Sequence, residues 1–168
     1  LVRKRSLSAV PVGGRYRTID FLMSNMVNAG VKNIGILTRR NYDSLLKHVG
    51  SGKDWGLNRK RGGLYIFPPY ISGTSPSGEY ASVMDGLRGT ADFLRNAKEQ
   101  YVLLGRSYVV FNADFNDMLD KHIKSGADIS LMYFDNTNDT TNVDQDGVYM
   151  VTDDTGRVTD MCYAESKH

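Results

Sequence analysis

The sequence predicts an α/β domain with a parallel sheet in its first half, and two observations lead there. Ile19, Leu22, Met23, Met26 and Val27 form an apolar stripe at helical spacing, and an apolar run from Val31 to Thr38 follows it directly. A second helical stretch, Asp43 to Val49, comes next. Helix and strand in alternation make crossover connections, and crossovers join parallel strands.

Taken in order, the stripe falls at i, i+3, i+4, i+7 and i+8, one face of a helix, and Gly30 stands where such a helix closes. The run 31–38 is short, β-branched and apolar, which suits a buried strand. Gly50 to Gly63 is rich in Gly, Lys and Arg, and Pro68 to Gly86 in Gly, Ser, Pro and Tyr, with the short strand Leu64 to Phe67 between them. Both read as long working loops, with Trp55, Tyr70 and Tyr80 as candidate binding aromatics. Thr90 to Lys98 reads as a helix, Tyr101 to Phe111 as a strand region interrupted near Gly105, and Asn116 to Ser125 as a helix closed by Gly126. Asp128 to Phe134 reads as an apolar strand. After the polar stretch Asn136 to Asp146, the alternating runs Val148 to Thr152 and Val158 to Cys162 flank Asp153-Asp154-Thr155-Gly156, a hairpin pattern.

A chain of 168 residues with 40% hydrophobic side chains supports one core, so residues 1–168 are expected to form a single domain. No run of about 18 apolar residues is present to span a membrane. Cys162 stands alone, which rules out an internal disulfide and fits a reducing cytoplasm. The net charge of +2 is too small for a general nucleic-acid binder. Its basic residues are nonetheless grouped: Arg3 to Arg5, Arg15 and Arg17, Arg39 and Arg40, then Lys53 and Arg59 to Arg61. That grouping suits small anions, or simply solvated loop ends. The chain opens on Leu-Val without an initiator methionine, and the expectation is a fragment of a longer protein.

Pro11 to Phe21 sets two glycines and two arginines just before the first helix. Glycines let the backbone approach an anion, a helix start offers N–H groups, and Arg15 and Arg17 can fork onto phosphoryl oxygens. The same residues also fit a plain connecting turn. Gly89-Thr90-Ala91-Asp92 offers N–H groups and a capping hydroxyl at a second helix start, or is an ordinary N-cap. His122 shares the stripe of Phe115, Met118, Leu119 and Ile123 and is read as a packed histidine, while His48 and His168 have no partners at metal-ligand spacing. Asn142, Asp144, Asp146 and Gly147 with Asp153 in twelfth place resemble a calcium loop. The last position lacks the bidentate Glu and the flanks read as strands, so an acidic turn is preferred.

Pro11 to Phe21, Ser24-Asn25, Asn28-Ala29-Gly30, Ile36-Leu37-Thr38, Leu45 and His48, Phe67-Pro68-Pro69, Arg88 to Asp92 and Asp114-Phe115 resemble, in order and spacing, the nucleotidyltransferase domain of bacterial glucose-1-phosphate adenylyltransferases. The resemblance runs over nearly the whole chain. It implies a doubly wound, mostly parallel Rossmann-like sheet of the nucleotide-diphospho-sugar transferase type, truncated at both ends. It further implies transfer of an adenylyl group from ATP to glucose 1-phosphate with magnesium, releasing pyrophosphate. In the family, Gly89 and Thr90 would lie by the nucleotide, and the position of Arg15 is associated with sugar-phosphate effectors, with Arg17 beside it. A glycine-rich loop before Leu1 and a carboxy-terminal β-helix would complete the family's chain.

Three departures redirect the functional reading. Where catalytic members carry Gly-Asp-His with a magnesium-binding aspartate, this chain has Ser107 and Tyr108 at the Gly and Asp places. A neutral phenol does not replace a carboxylate on a hard cation, and the loss is worth on the order of a thousandfold in rate. Ala164 stands where a lysine would meet the sugar phosphate, and Arg39 where a glutamine would approach the base. The departures resemble the regulatory subunit type of Gram-positive bacteria, as do Gly52 to Trp55 and Asn58 to Arg61. The implied partner is a catalytic subunit in a hetero-oligomer, with nucleotide or sugar-phosphate effectors. The rival readings are an active transferase holding magnesium on another carboxylate, Asp114 being nearest in sequence, and a small-anion sensor with no synthetic partner.

Overall fold

The computed structural model describes residues 5–39, 41–59, 62–69, 80, 82–134 and 148–163. It divides into two compact units, Leu1–Gly126 and Ala127–His168. The described residues are a mixture of helices and short sheets, with strands paired two by two.

In the first unit a short hairpin joins β1 (Pro11–Val12) to β2 (Tyr16–Arg17), with Pro11 opposite Arg17. Gly13 and Gly14 turn it at φ of 59° and 83°, a region that side chains with a Cβ resist. Helix α1 (Thr18–Asn28) follows at once. Its predicted stripe is its buried face: Ile19, Leu22, Met23 and Met26 are each less than a tenth exposed, and Val27 packs against them. A helical turn at Leu7–Ala9 is fastened to the start of α1, since the Thr18 hydroxyl donates to the Leu7 carbonyl at 2.8 Å and the Thr18 N–H to Val10 at 3.1 Å.

Strand β3 (Asn33–Leu37) pairs in parallel with β4 (Gly63–Phe67), Asn33 opposite Gly63 and Leu37 opposite Phe67. Alternation gives the pair two faces. Ile34 and Ile36, with Leu64 and Ile66, join the core with α1 and with Leu45 and Val49 of α2 (Asp43–Val49). On the other face Gly35 leaves room for Phe93, whose ring lies 4.9 Å from Tyr65 and 5.3 Å from Phe67. Phe93 comes from α4 (Ala91–Arg95), which follows α3 (Val83–Gly89). The parallel sheet and the helix–strand alternation expected from the sequence are thus present, as one strand pair.

Several elements differ from the sequence reading. The connection 50–59 is no open loop: Lys53–Trp55 forms a helical turn, Leu57 is buried, and Trp55 packs on the core. Helix α3 occupies part of what reads as a Gly/Ser/Pro loop; its Ser82 cap accepts the Asp85 N–H at 3.1 Å and offsets the cost of its two glycines. The helix read as Thr90 to Lys98 is the shorter α4. Tyr101 to Phe111 and Asp128 to Phe134 carry strand-like composition but join no sheet among the described residues. A strand needs a ladder partner, and without one Val102, Leu104, Ile129 and Phe134 stay largely exposed. The stretch after Tyr101 is instead laid on α1. A Cβ at Gly105 would come 2.9 Å from Leu22 Cδ1, and Asn25 Nδ2 donates to the Phe111 carbonyl at 2.9 Å.

Helix α5 (Phe115–Ser125) ends the first unit, capped by Asp114, which accepts the Asn116 N–H at 2.9 Å, and closed at Gly126 with φ of 64°. His122 packs edge-on against Tyr101, the packed histidine of the sequence reading. No described helix is long and apolar enough to cross a membrane.

In the second unit β5 (Val148–Thr152) and β6 (Val158–Tyr163) form the expected antiparallel hairpin. Asp153 organises its turn. One carboxylate oxygen accepts the Thr155 hydroxyl at 2.6 Å, the Thr155 N–H at 2.9 Å and the Arg157 N–H at 3.0 Å. This side chain is therefore spent on the turn, while Asn142, Asp144, Asp146 and Gly147 of the calcium-like pattern lie outside the described residues.

The Thr155 hydroxyl, and after it the Arg157 N–H, hold the Asp153 carboxyl below its ordinary range. A carboxyl lowered on folding stabilises above its unfolded value and loses that contribution as pH falls through the folded one. Amide chemical shifts of 153–157 are expected to stay constant above about pH 5 and to move toward random-coil values in acid, and Asp153→Ala to show the acid-like shifts at neutral pH.

Candidate functional site

Parallel pairing in register brings the carboxyl ends of β3 and β4 together, the edge where open α/β sheets hold ligands. Thr38, just beyond β3, is 2% exposed and gives both its N–H and its hydroxyl to the Phe67 carbonyl, each at 3.0 Å. Arg39 follows, and its Nη2 donates to the Tyr80 carbonyl at 3.2 Å. Tyr80 is itself buried, with its hydroxyl donating to the Pro68 carbonyl at 2.9 Å.

The Tyr80 ring lies on α3. A Cβ placed on Gly86 would be 3.3 Å from Tyr80 Cδ2, and one on Gly89 would be 3.5 Å from Cε1 and 3.6 Å from the phenol oxygen. Residues three apart share a helix face. The two glycines therefore make a bare strip about one ring long, and Tyr80 covers it from Cγ to hydroxyl. Thr90 is 4% exposed, and its hydroxyl donates back to the Leu87 carbonyl at 3.0 Å instead of capping α4. Gly89, Thr90 and Arg39 are thus gathered at one sheet edge around Tyr80.

A second polar cluster joins the first two helices. Asp20 is 8% exposed, with Oδ2 accepting the Arg17 N–H at 3.0 Å and Oδ1 lying 2.6 Å from His48 Nε2. The His48 ring stands edge-on to Trp55, centroids 6.3 Å apart. Arg17 Nη1 donates to the Ser44 carbonyl at 2.8 Å and to the Ser44 hydroxyl at 2.6 Å. Ser44 and His48 are four apart on α2, so one face of that helix receives both links.

This cluster bears on the phosphate cradle read at Gly13 to Arg17. The carboxylate of Asp20 already meets the start of α1, and Arg17 Nη1 is engaged by Ser44. Arg15 is exposed at the tip of the β1–β2 hairpin, and its guanidinium has no partner among the described residues. Tyr108 does not enter the core: it is 43% exposed, and Arg106 Nη1 donates to its hydroxyl at 3.2 Å. Neighbouring Ser107 bonds Ser8, oxygen to oxygen 2.6 Å apart. Asp114 caps α5 and lines a polar depression of about 330 Å³ with Asn25, Asn28, Asn112 and Asn116. Ala164 lies outside the described residues.

Spacing along the chain does not reveal the pairing of Asp20 with His48, 28 residues apart. Tyr80 carried only the signal of an aromatic in a glycine-rich stretch.

Residues 1–162 match the family model described as "Nucleotidyl transferase". Among curated proteins, the chain is 40% identical over 133 residues to "Glycogen biosynthesis protein GlgD" of Geobacillus stearothermophilus, covering 77% of this chain and 38% of that protein. It is 37% identical over 137 residues to the protein of the same name in Bacillus subtilis, covering 80% and 39%. It is 35% identical over 160 residues to "Glucose-1-phosphate adenylyltransferase" of Pseudothermotoga lettingae, covering 95% and 37%. The chain therefore spans less than two fifths of the length of each of these relatives.

Removing a buried acceptor leaves its donors unsatisfied, at about 1–3 kcal/mol. Urea unfolding should show that loss for Asp20→Ala, and a double-mutant cycle with His48→Ala should show the two costs to be strongly non-additive.

Proposed function

The chain belongs to the nucleotidyl transferase family, and on that premise we propose that it is the nucleotidyl transferase part of a glycogen-biosynthesis protein of the regulatory kind. The family match implies a Rossmann-like nucleotide-sugar transferase fold. Within that reading residues 1–168 form one domain on a doubly wound sheet. The whole protein assembles with a catalytic subunit that makes ADP-glucose from ATP and glucose 1-phosphate, and changes that subunit's response to effectors. Its place of action is the cytoplasm.

Tyr108 carries the reading. A carboxylate at this position would attract magnesium; the phenol present is neutral, and the Arg106 guanidinium 3.2 Å from its oxygen adds a positive charge that repels a divalent cation. Among the described residues no three His, Cys, Asp or Glu side chains converge to compensate. A phenol beside a guanidinium supports the reading that this segment does not hold magnesium. The alternative ligand, Asp114, already caps α5 with one of its oxygens.

What supports an anion-responsive role is Arg15, whose guanidinium is unengaged among the described residues at a two-glycine turn, whereas Arg17 acts through Ser44 in holding that turn against α2. A sugar phosphate meeting Arg15 would thus act close to the α1–α2 junction. Gly89 and Thr90, with Arg39 in the place nearest the base, form the nucleotide side of the site.

Purified full-length protein assayed alone should make no ADP-glucose above background, and should shift the activation curve of its catalytic partner for a sugar-phosphate effector when the two are mixed. Arg15→Ala should flatten that shift several-fold without preventing assembly, checked by size-exclusion chromatography. Ordinary turnover by the protein alone would overturn the regulatory assignment.

A further inference from the structure

We infer that the depression between the end of α1 and the start of α5 binds an uncharged sugar ring, through the side chains of Asn25, Asn28, Asn112 and Asn116 and one oxygen of Asp114. Its volume of about 330 Å³ lies at the lower end of small-molecule sites, which run from about 300 to 1,000 Å³.

Local structure brings the four carboxamides together. Asn25 and Asn28 are three apart at the end of α1 and share a face of it. Asn112 and Asn116 stand on either side of the Asp114 cap of α5, and the segment before that cap is fastened to α1 by the 2.9 Å bond from Asn25 Nδ2 to the Phe111 carbonyl. That bond also orients Asn25. The residue is 8% exposed, its amide nitrogen is committed to Phe111, and its Oδ1 has no partner among the described residues at the wall of the depression. A side chain this far inside normally has its polar atoms satisfied. The side chains of Asn28, Asn112 and Asn116 likewise bond nothing among the described residues, and Asp114 uses Oδ1 alone, on the Asn116 N–H.

The chemistry of these groups selects the ligand. A carboxamide is at once donor and acceptor, and so is a hydroxyl, so two adjacent ring hydroxyls offer a carboxamide both of the partners it lacks. Four carboxamides call for a ligand with many hydroxyls. No described cationic side chain lines the depression, and the N-terminus of α5 is already answered by the Asp114 carboxylate. That carboxylate and the negative end of the α1 dipole repel a phosphate. A metal ion would need more than one carboxylate, and among the described residues no three metal-binding side chains converge. The second Asp114 oxygen fits a sugar hydroxyl instead, as a charge-assisted acceptor. Ala29, Ala113 and Phe115 complete the lining with apolar atoms for the C–H face of the ring. Free sugar and the end of a polysaccharide present the same ring.

The test is saturation-transfer NMR on the full-length protein, which reads weak binding from the sugar's own proton signals, with glucose and maltotriose as probes. Both are expected to saturate, with Kd in about the millimolar range. Asn112→Ala combined with Asn116→Ala removes two exposed carboxamides that bond nothing described, and circular dichroism checks that the fold is kept. The double variant should weaken glucose binding on the order of tenfold. Asn28→Leu, which puts an apolar side chain of similar size at the rim, should weaken it by a similar factor. Tighter binding of maltotriose than of glucose would assign the site to a polysaccharide end, and equal binding to a single ring; both outcomes support the sugar site. No saturation of either sugar, or saturation that neither variant changes, would overturn it. Adenosine tests whether the carboxamides read a base instead: its saturation in place of the sugars would overturn the ligand class. A tenfold excess of inorganic phosphate should leave the glucose signal unchanged, and its loss would overturn the preference for an uncharged ligand.

Discussion

Everything around the amino-terminal hairpin depends on one buried carboxylate. Asp20 receives the Arg17 N–H on one oxygen and His48 on the other, and a group this buried is tolerable only because both oxygens are served. Those bonds set where α1 starts and how α2 lies against it. Arg17 repeats the link at the other end of α2 through Ser44, so two polar ties four residues apart fix the rotation of a seven-residue helix too short to hold its place alone. Leu45 and Val49 are then turned inward onto the stripe of α1, and Trp55 closes over His48. The apolar contacts supply most of the free energy, but the carboxylate determines their alignment.

The same arrangement divides the basic residues by role. Arg17 is a structural cation with its donors turned to Ser44, while Arg15, two residues away on the outer side of the turn, faces water. Arg106 is withdrawn again, lying against Tyr108.

How much of this was legible varies with the range of the interaction. The stripe of α1, strand β3, helix α5 with its Gly126 stop, and the hairpin around Asp153 depend on residues within one or two turns of each other, and local periodicity reports them. Helix α3 was hidden because Gly86 and Gly89 lower its propensity, although Ser82 and Asp85 carried a capping signature. The segments 101–111 and 128–134 have strand composition, yet composition cannot supply a neighbour, and a strand without a ladder is only extended chain. At the site, Gly89, Thr90, Arg15 and Tyr108 could be singled out from their motifs. Their surroundings could not.

The sequence alone determined the class of the domain, its family resemblance, and the presence of a phenol at position 108, because identity and short-range spacing are written directly in the chain. Only the tertiary structure decided which residues meet: Asp20 with His48 across 28 positions, Arg39 with Tyr80 across 41, and the ring of Tyr80 over the two glycines of α3. Such pairings follow from how helices and strands pack around a shared core, and packing is a property of the whole fold that no window of sequence contains.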